Sequence, residues 1–518
     1  MKKIITILTI GAAVALTAQV GIGVNSPDST AMMEAASTEK GFLPPRMTTA
    51  QRDAINGGNP SAGLVIYNLD VHCLEFFNAT EWVSFCNGSN SETLNYRLGG
   101  SSSDQGNFVQ QTSDGGYIVA GNSESTASGD ISGTNNGGPD AWIVKLDASG
   151  EVEWDKMIGG SDYDDIYFIQ QTSDGGYIMT GGSQSSASGD IVDTSNGYLD
   201  SWIIKLDASG NIQWNRLLGG NSAEYFLAVR QAPDGGYIAV GSSSSSTSGD
   251  VTDTNNGAID FWIVKLDSSG NITWSRLYGG EENDEARGVQ LTSDGGYIVT
   301  GWSYSSASGD IAATNQGRMD AWVIKLNASG DLQWEKLFGG NDNDEAISVQ
   351  QASDGGYILA GTSESSSSGD ISDVSNGDAD GWVIKLDASG NMQWNKLLGG
   401  SDWDGFSSIG LTTDGGYIVG GSSGSSLSGD VSGTNYGSGD LWAVKLDVSG
   451  NQQWDKLLGG TGNEYGTSAQ QTSDGGYVVL GSSAHNSAGT GDQAGIISIG
   501  EYDYWLIMLD QNGNTIEP

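Results

Sequence analysis

From residue 93 onward, short apolar runs alternate with turns rich in Gly, Ser, Asn and Asp, and the alternation has a fixed period. The sequence Asp-Gly-Gly-Tyr begins at Asp114, Asp174, Asp234, Asp294, Asp354, Asp414 and Asp474, always 60 residues apart. Each unit holds four apolar runs, which in the first unit are 108–111, 117–120, 141–146 and 152–158. Ser113-Asp114-Gly115-Gly116 separates the first two, and Asp147-Ala148-Ser149-Gly150 the last two. Both are tight-hairpin sequences, with Gly where a positive φ is needed. No run carries a helical period, so each unit predicts four short antiparallel strands. One such unit cannot bury its own faces, but radial stacking can. Seven units predict an all-β fold, a seven-bladed β-propeller over residues 93–511, with a tail at 512–518.

The seventh unit lacks a fourth run, for after 504–509 it ends in Asn512-Gly513-Asn514. Its counterpart stands at the front, where Leu94-Asn95-Tyr96-Arg97-Leu98-Gly99-Gly100 aligns with Trp154-Asp155-Lys156-Met157-Ile158-Gly159-Gly160. An N-terminal strand is therefore expected to complete the last blade and remove an exposed sheet edge. Two tryptophan series, from Trp142 to Trp505 and from Trp154 to Trp454, are expected between neighbouring sheets. Lys145, Lys205, Lys265, Lys325, Lys385 and Lys445 lie on the third run, and each is expected to pair with a carboxylate. The last blade has Met508 there.

Gly159-Gly160-Ser161 with Asp164, then Asp174-Gly175-Gly176-Tyr177, then Asp200-Ser201-Trp202-Ile203-Ile204-Lys205-Leu206, carry a resemblance. In all seven units the pattern resembles a bacterial seven-bladed β-propeller repeat family of exported and surface proteins, with Trp replacing the usual Phe. The resemblance implies a propeller and no defined activity. Leu146, Asp147, Gly150 and Trp154 also resemble the tryptophan-docking motif of quinoprotein propellers, one residue shorter between Asp and Gly. This implies a docking role for the Trp, without quinone binding.

Residues 19–92 have a different texture and predict a small β-rich module. Thr48 or Thr49 would cap a short helix, 63–68 would form a strand, and 71–86 a hairpin around Asn78-Ala79-Thr80-Glu81. Gly41-Phe42-Leu43-Pro44-Pro45-Arg46-Met47 and Gln51-Arg52-Asp53-Ala54-Ile55, followed by the strand and hairpin, resemble a leader of secreted bacterial surface proteins. Residues 1–18 read as a signal peptide, with basic Lys2-Lys3, an apolar stretch over 4–14 and cleavage after Ala18, or alternatively after Ala15. No later segment approaches 18 continuous apolar residues. Export favours a Cys73–Cys86 disulfide across the hairpin base, and two unpaired buried thiols are the alternative.

Charge narrows the function. Against 64 Asp+Glu the chain has 21 Lys+Arg, a net charge of −43, which argues against nucleic acid and anionic membranes as partners. Two Cys and two His argue against His/Cys zinc clusters and iron–sulfur sites. The tight hairpins fall on one face of the propeller, and the long loops such as 122–139 fall on the other, with the inter-blade loops. Each inter-blade loop carries an acid four residues after its Gly-Gly: Asp104, Asp164, Glu224, Asp284, Asp344, Asp404 and Glu464. This ring is expected just before the innermost strand, near the channel mouth. Three roles compete for it: capping turns or pairing lysines, binding a divalent cation of which Ca²⁺ fits best, and recognising a cationic or glycan partner. No other cofactor is implied.

Arg230, Arg287, Trp302, Tyr304, Trp403 and His485 break the repeat. They form no acid/base or nucleophilic set, although Trp302, Tyr304 and Trp403 suit stacking on sugar rings. The expectation is a secreted or cell-surface, non-enzymatic binding or adhesion scaffold that meets a surface glycan or protein through its acidic long-loop face. The alternatives are a carbohydrate-active enzyme, a glycosidase or lyase, and a Ca²⁺-dependent glycan binder.

Overall fold

The computed structural model describes residues 95–485, 490–493 and 500–516, and before them 20–22, 33–35, 44–57, 60–61, 64–69, 73–77 and 82–84. Two compact units divide the chain, residues 1–91 and 92–518. The signal peptide, the turn at 78–81 and Cys86, and with it the Cys73–Cys86 bridge, lie outside the described residues. Among the described residues no helix is long and apolar enough to cross a membrane.

In the first unit, helix Thr49–Asp53 starts at Thr48, whose hydroxyl accepts from the Gln51 N–H while the Gln51 side chain accepts from the Thr48 N–H. That reciprocal cap satisfies two orphan donors. Strands Arg46–Met47, Val65–Asn68, Cys73–Phe77 and Trp82–Ser84 form one sheet in that order, the first pair parallel and the others antiparallel. Arg52 braces the helix on the sheet with two bonds from Nη1 to Glu75, at 3.0 and 2.9 Å.

The second unit is a β-propeller. Among its described residues are seven four-stranded antiparallel sheets, six of them built from consecutive strands. The second blade, for example, is Asp164–Gln171, Tyr177–Ser183, Asp200–Leu206 and Ile212–Leu218, from the inside outward. The seventh combines Glu464–Gln471, Tyr477–Ala484 and Tyr502–Leu509 with Asn95–Leu98, Leu98 lying opposite Tyr504 and Asn95 opposite Ile507. The ring closes: the Ser473 N–H donates to Gln111 Oε1 at 2.8 Å, as the Ser113 N–H does to Gln171 between the first two blades. The latch strand differs from the other outer strands. Arg97 stands where they carry Met157, Leu217, Leu277, Leu337, Leu397 and Leu457. It reaches the buried Asp503 at 3.4 Å and donates to the Ala484 carbonyl at 3.0 Å. A buried pair of this kind fixes register more than it adds stability.

Neighbouring blades meet through aromatic rings. Trp154 lies edge-on to Tyr177 of the next blade, centroids 5.9 Å apart, and covers Gly210. The same contact joins Trp214 to Tyr237 and Gly270, Trp274 to Tyr297 and Gly330, and Trp454 to Tyr477 and Gly513. On the latch strand Tyr96 takes this place against Gly150, its hydroxyl donating to the Ser149 carbonyl at 2.9 Å. The lysines pair as expected, with the Asp of the Asp-Gly-Gly turn: Lys325 Nζ is 3.0 Å from Asp294, and Lys385 Nζ is 2.8 Å from Asp354.

The innermost strands begin earlier than the apolar runs indicate, at Asp104, Asp164, Glu224, Asp284, Asp344, Asp404 and Glu464. All seven acids are fully buried first residues of a strand rather than loop residues before it. Side-chain bonds cause the extension. Asp104 accepts from the Gly100 N–H at 2.6 Å, the Ser125 hydroxyl at 3.1 Å and the Ser123 hydroxyl, and Ser123 is its partner across the ladder. Each acid also faces a second buried carboxylate at the start of a third strand. A Cβ on Gly219 would lie 2.5 Å from Asp200 and 2.9 Å from Glu224.

These buried pairs make stability depend on pH. Burial first, and then the facing acid, push Asp140, Asp260 and Asp440 up to about 7. Burial likewise raises Asp104 and Asp284 to about 6. Unfolding returns each to about 3.9, so between about pH 4 and 7 the folded chain binds more protons and loses stability as pH rises. Asp174 and Asp414 run the other way: burial opposes ionisation, yet the Thr hydroxyl, the Gly N–H and the Lys together hold them near 2. Their contribution is present above about pH 4 and fades toward pH 2. The thermal midpoint is therefore expected to peak near pH 4 and fall on both sides, steadily so from about pH 4 to 7. A midpoint rising from pH 5 to 8 would contradict the pairing. The docking contact has its own test. Gly330 has φ +82° and a Cβ there would meet the Trp274 ring at 3.0 Å. Gly330→Ala should cost about 2–4 kcal/mol in denaturant unfolding, from the left-handed backbone and the overpacked ring together.

Candidate functional site

A cavity of about 510 Å³ runs through the centre of the propeller, lined by the innermost strands of all seven blades. Each of these strands carries a bulge, with the ladder register shifting around residues 107, 167, 227, 287, 347, 407 and 467. The extra residue turns its side chain inward, as bulges beside functional sites do. At this point the seven blades carry seven different residues: Asn107, Tyr167, Leu227, Arg287, Ile347, Ser407 and Thr467. All line the cavity. Sevenfold repetition fails where a ligand would meet it.

The next level toward the long loops is also irregular, holding Gln105, Asp165, Tyr225, Glu285, Glu345, Gly405 and Tyr465. The Tyr167 hydroxyl donates to Asp165 at 3.1 Å. Arg287 Nε is 2.7 Å from Glu285, which also accepts from the Tyr225 hydroxyl. Burial pushes the Asp165 carboxyl up against the opposing hydroxyls of Tyr163 and Tyr167. It also raises Glu345, which Arg287 partly offsets. Carboxylates, phenols and one guanidinium thus share one sector of the mouth, where they can accept and donate hydrogen bonds to a polyol and hold a proton.

Aromatic rings border this sector. Trp302 lies opposite Glu285 in the ladder and meets Tyr304 edge-on at 5.5 Å; Tyr304 is 42% exposed. Trp403, 47% exposed, covers Gly405 beside Thr362, the residue opposite Glu345. The sequence-marked aromatics Trp302, Tyr304 and Trp403 therefore fall near the irregular carboxylates. Asp104, Asp164, Glu224, Asp284, Asp344, Asp404 and Glu464 lie sealed in the wall, bonded to Gly and Ser. His485 is exposed, away from the cavity lining. Among the described residues, no three His, Cys, Asp or Glu side chains are grouped to hold a metal. Asp165, Tyr167, Tyr225, Glu285 and Glu345 escaped sequence reasoning. The available signal was a pair of irregular columns, one from Gln105 to Tyr465 and one from Asn107 to Thr467, in the second of which no two blades agree.

Comparison with known proteins adds three kinds of likeness. Residues 21–99 match a family described as a phage tail like trimerisation region. A regulatory protein, FlaEY, of Caulobacter vibrioides (strain ATCC 19089 / CIP 103742 / CB 15) is 24% identical over 279 residues. The match takes in 49% of this chain and 28% of that protein, so the chain spans little more than a quarter of that relative's length. Among solved structures, puromycin hydrolase is similar at a TM-score of 0.45 and 13% identity, covering 81% of this chain and 54% of that one. The hydrazine synthase of Kuenenia stuttgartiensis is similar at 0.43 and 11%, covering 73% and 93%. The WD40 domain of Pan2 from Neurospora crassa is similar at 0.34 and 10%, covering 63% and 91%.

Proposed function

We propose that the protein is an exported, cell-surface binding scaffold, non-enzymatic, whose propeller recognises a glycan at the long-loop end of its channel. One observation carries this reading: the repeated frame loses its repetition at adjoining levels of the channel mouth, where carboxylates and phenols lie within a border of Trp302, Tyr304 and Trp403. Flat rings with polar edges beside hydrogen-bonding acids suit a sugar, whose faces are apolar and whose rim is hydroxylated. The likeness of the repeat to exported propellers and the signal-type start support a surface location. The match of residues 21–99 to a trimerisation region supports assembly in threes, and three linked mouths would bind an arrayed glycan far more tightly than one.

A second reading has an observation of its own. Glu345 is a desolvated carboxyl with a raised pKa, the property of a general acid in glycoside hydrolysis.

A glycan array probed with the parent and with the Trp302→Ala/Tyr304→Ala double variant tests the first reading. Binding is expected with the parent and at least tenfold weaker with the variant; no binding, or equal binding, overturns it. Binding that persists in chelator sets aside the Ca²⁺-dependent alternative. Turnover on a hydrolase panel that disappears in Glu345→Gln would replace the binder with an enzyme. Light scattering of the full chain is expected to give three times the mass of one chain, and a monomer would remove the trimer.

A further inference from the structure

The cavity is electrically out of character with its protein. In a chain of net charge −43, its lining includes Arg230 and Arg287 and no Asp or Glu. Arg287 is paired with Glu285, whereas no carboxylate pairs with Arg230 among the described residues. The cations with fully buried side chains have acidic partners, Arg97 with Asp503 and Lys145 with Asp114 and Glu153, whereas Arg230 is part-buried, open to the cavity. Arg230 is held by neutral groups alone. Its Nε donates to Gln290 Oε1 at 3.2 Å, its Nη1 to the Val229 carbonyl at 3.1 Å, and the guanidinium lies 4.1 Å from the Phe168 ring centroid. Two of its five N–H groups are thus used. Burial alone lowers the group to about 10, so it stays cationic at neutral pH.

The surrounding side chains are turned to donate. Five other blades carry Gln at the Arg230 position, namely Gln110, Gln170, Gln290, Gln350 and Gln470, and the sixth carries Gly410. Backbone N–H groups occupy the carbonyl oxygens of three: Gln171 N–H donates to Gln110 at 2.7 Å, Gln231 N–H to Gln170 at 2.8 Å, and Gln111 N–H to Gln470 at 3.1 Å. Arg230 itself occupies that of Gln290. In all four the Nε2 group has no protein acceptor among the described residues. Amide donors and a guanidinium without a carboxylate partner therefore share one level of the cavity, with Phe108 tilted against Phe168 at 4.0 Å as an apolar wall.

We infer that this level of the channel is an anion-binding site, in which Arg230 and the glutamine amides take the oxyanion of a small carboxylate- or sulfate-bearing ligand. A guanidinium presents a planar fork to such a group, and a water-poor site strengthens the bond. The long-range field of the acidic chain opposes entry, so a bound anion must be held by direct bonds to the guanidinium and the amides. The inference is independent of the glycan reading at the mouth.

Calorimetric titration of the full chain with sodium sulfate and with sodium glucuronate, against sodium chloride at equal ionic strength, tests it. Saturable binding of one anion per chain is expected. Arg230→Gln restores the residue of five other blades and should fold; it is expected to weaken binding at least tenfold. Its thermal midpoint in chloride should be equal to or above the parent's, because a partly desolvated charge without a carboxylate partner is gone, whereas a merely structural arginine would leave it lower. Tighter binding of glucuronate assigns the carboxylate and tighter binding of sulfate assigns the sulfate ester, both upholding the site. Neither anion binding above chloride, or Arg230→Gln binding like the parent, overturns it.

Discussion

Everything in the propeller depends on one contact, an aromatic ring from the outer strand of a blade laid on a glycine of the next. Burying such a ring is worth roughly 2–3 kcal/mol. Gly210, Gly270, Gly330, Gly390 and Gly450 suit it twice over, having positive φ and no Cβ where Trp rings lie. Each blade otherwise touches only its neighbours, so stability is a sum of blades and junctions, as in other repeat proteins. A ring adds what an open array lacks, for no junction can part without straining the rest. The exceptional junction is the one made by the latch strand, where the sequence has Leu94 at the Trp position and Tyr96, from the position of Lys156, is laid on Gly150. There a hydroxyl bond to Ser149 and the buried Arg97–Asp503 pair supplement the smaller ring.

Much of this frame was legible in the sequence, because period, turn chemistry and strand length all point to one architecture. The missing fourth run at one end and the spare run at the other announced the latch. The lysines announced that they need carboxylates, though not which ones: Asp294 reaches Lys325 because two hairpin turns adjoin in space, 31 residues apart in sequence. The fate of Asp104 was illegible for a related reason. Nothing local reveals that Ser123 and Ser125, from the far side of a hairpin, will close over it. The bulge was the largest loss. Alternation along 104–111 assigns faces by counting in twos, and one extra residue reverses every later assignment. Tyr167 thus reads as an ordinary position in an ordinary strand, and Arg287 as a break in the repeat with no direction assigned.

The acidity also takes a different meaning. In the second blade Asp164 secures the Gly-Gly turn, Asp174 the first hairpin and Asp190 the long loop, while Asp207 secures the second hairpin. Asp207, for instance, accepts from the N–H groups of Ser209 and Asn211, both at 2.9 Å. Such side-chain-to-backbone bonds are what Asp offers at turns. A frame with so many turns per blade, repeated seven times, accumulates negative charge whatever its ligand. Net charge here is a consequence of loop chemistry, and it speaks for solubility more than for a partner.

The innermost strands escape that demand, because a strand interior has no turn to cap. Freed from turns and from blade-to-blade docking, their inward side chains are the least constrained by the frame, and they are where the blades diverge. Asp165, Glu285 and Glu345 at the mouth keep acids among phenols and a guanidinium, whereas the cavity below them has none. The channel is thus graded along its length, from carboxylates near the long loops to Arg230 and glutamine amides near the tight hairpins. Exact sevenfold repetition would give seven identical residues at each level, so the mixed levels that hold Asp165 and Glu285, or Arg230 among glutamines, cannot arise from it. They require single substitutions in individual blades, each at a site where the frame would accept the common residue as readily.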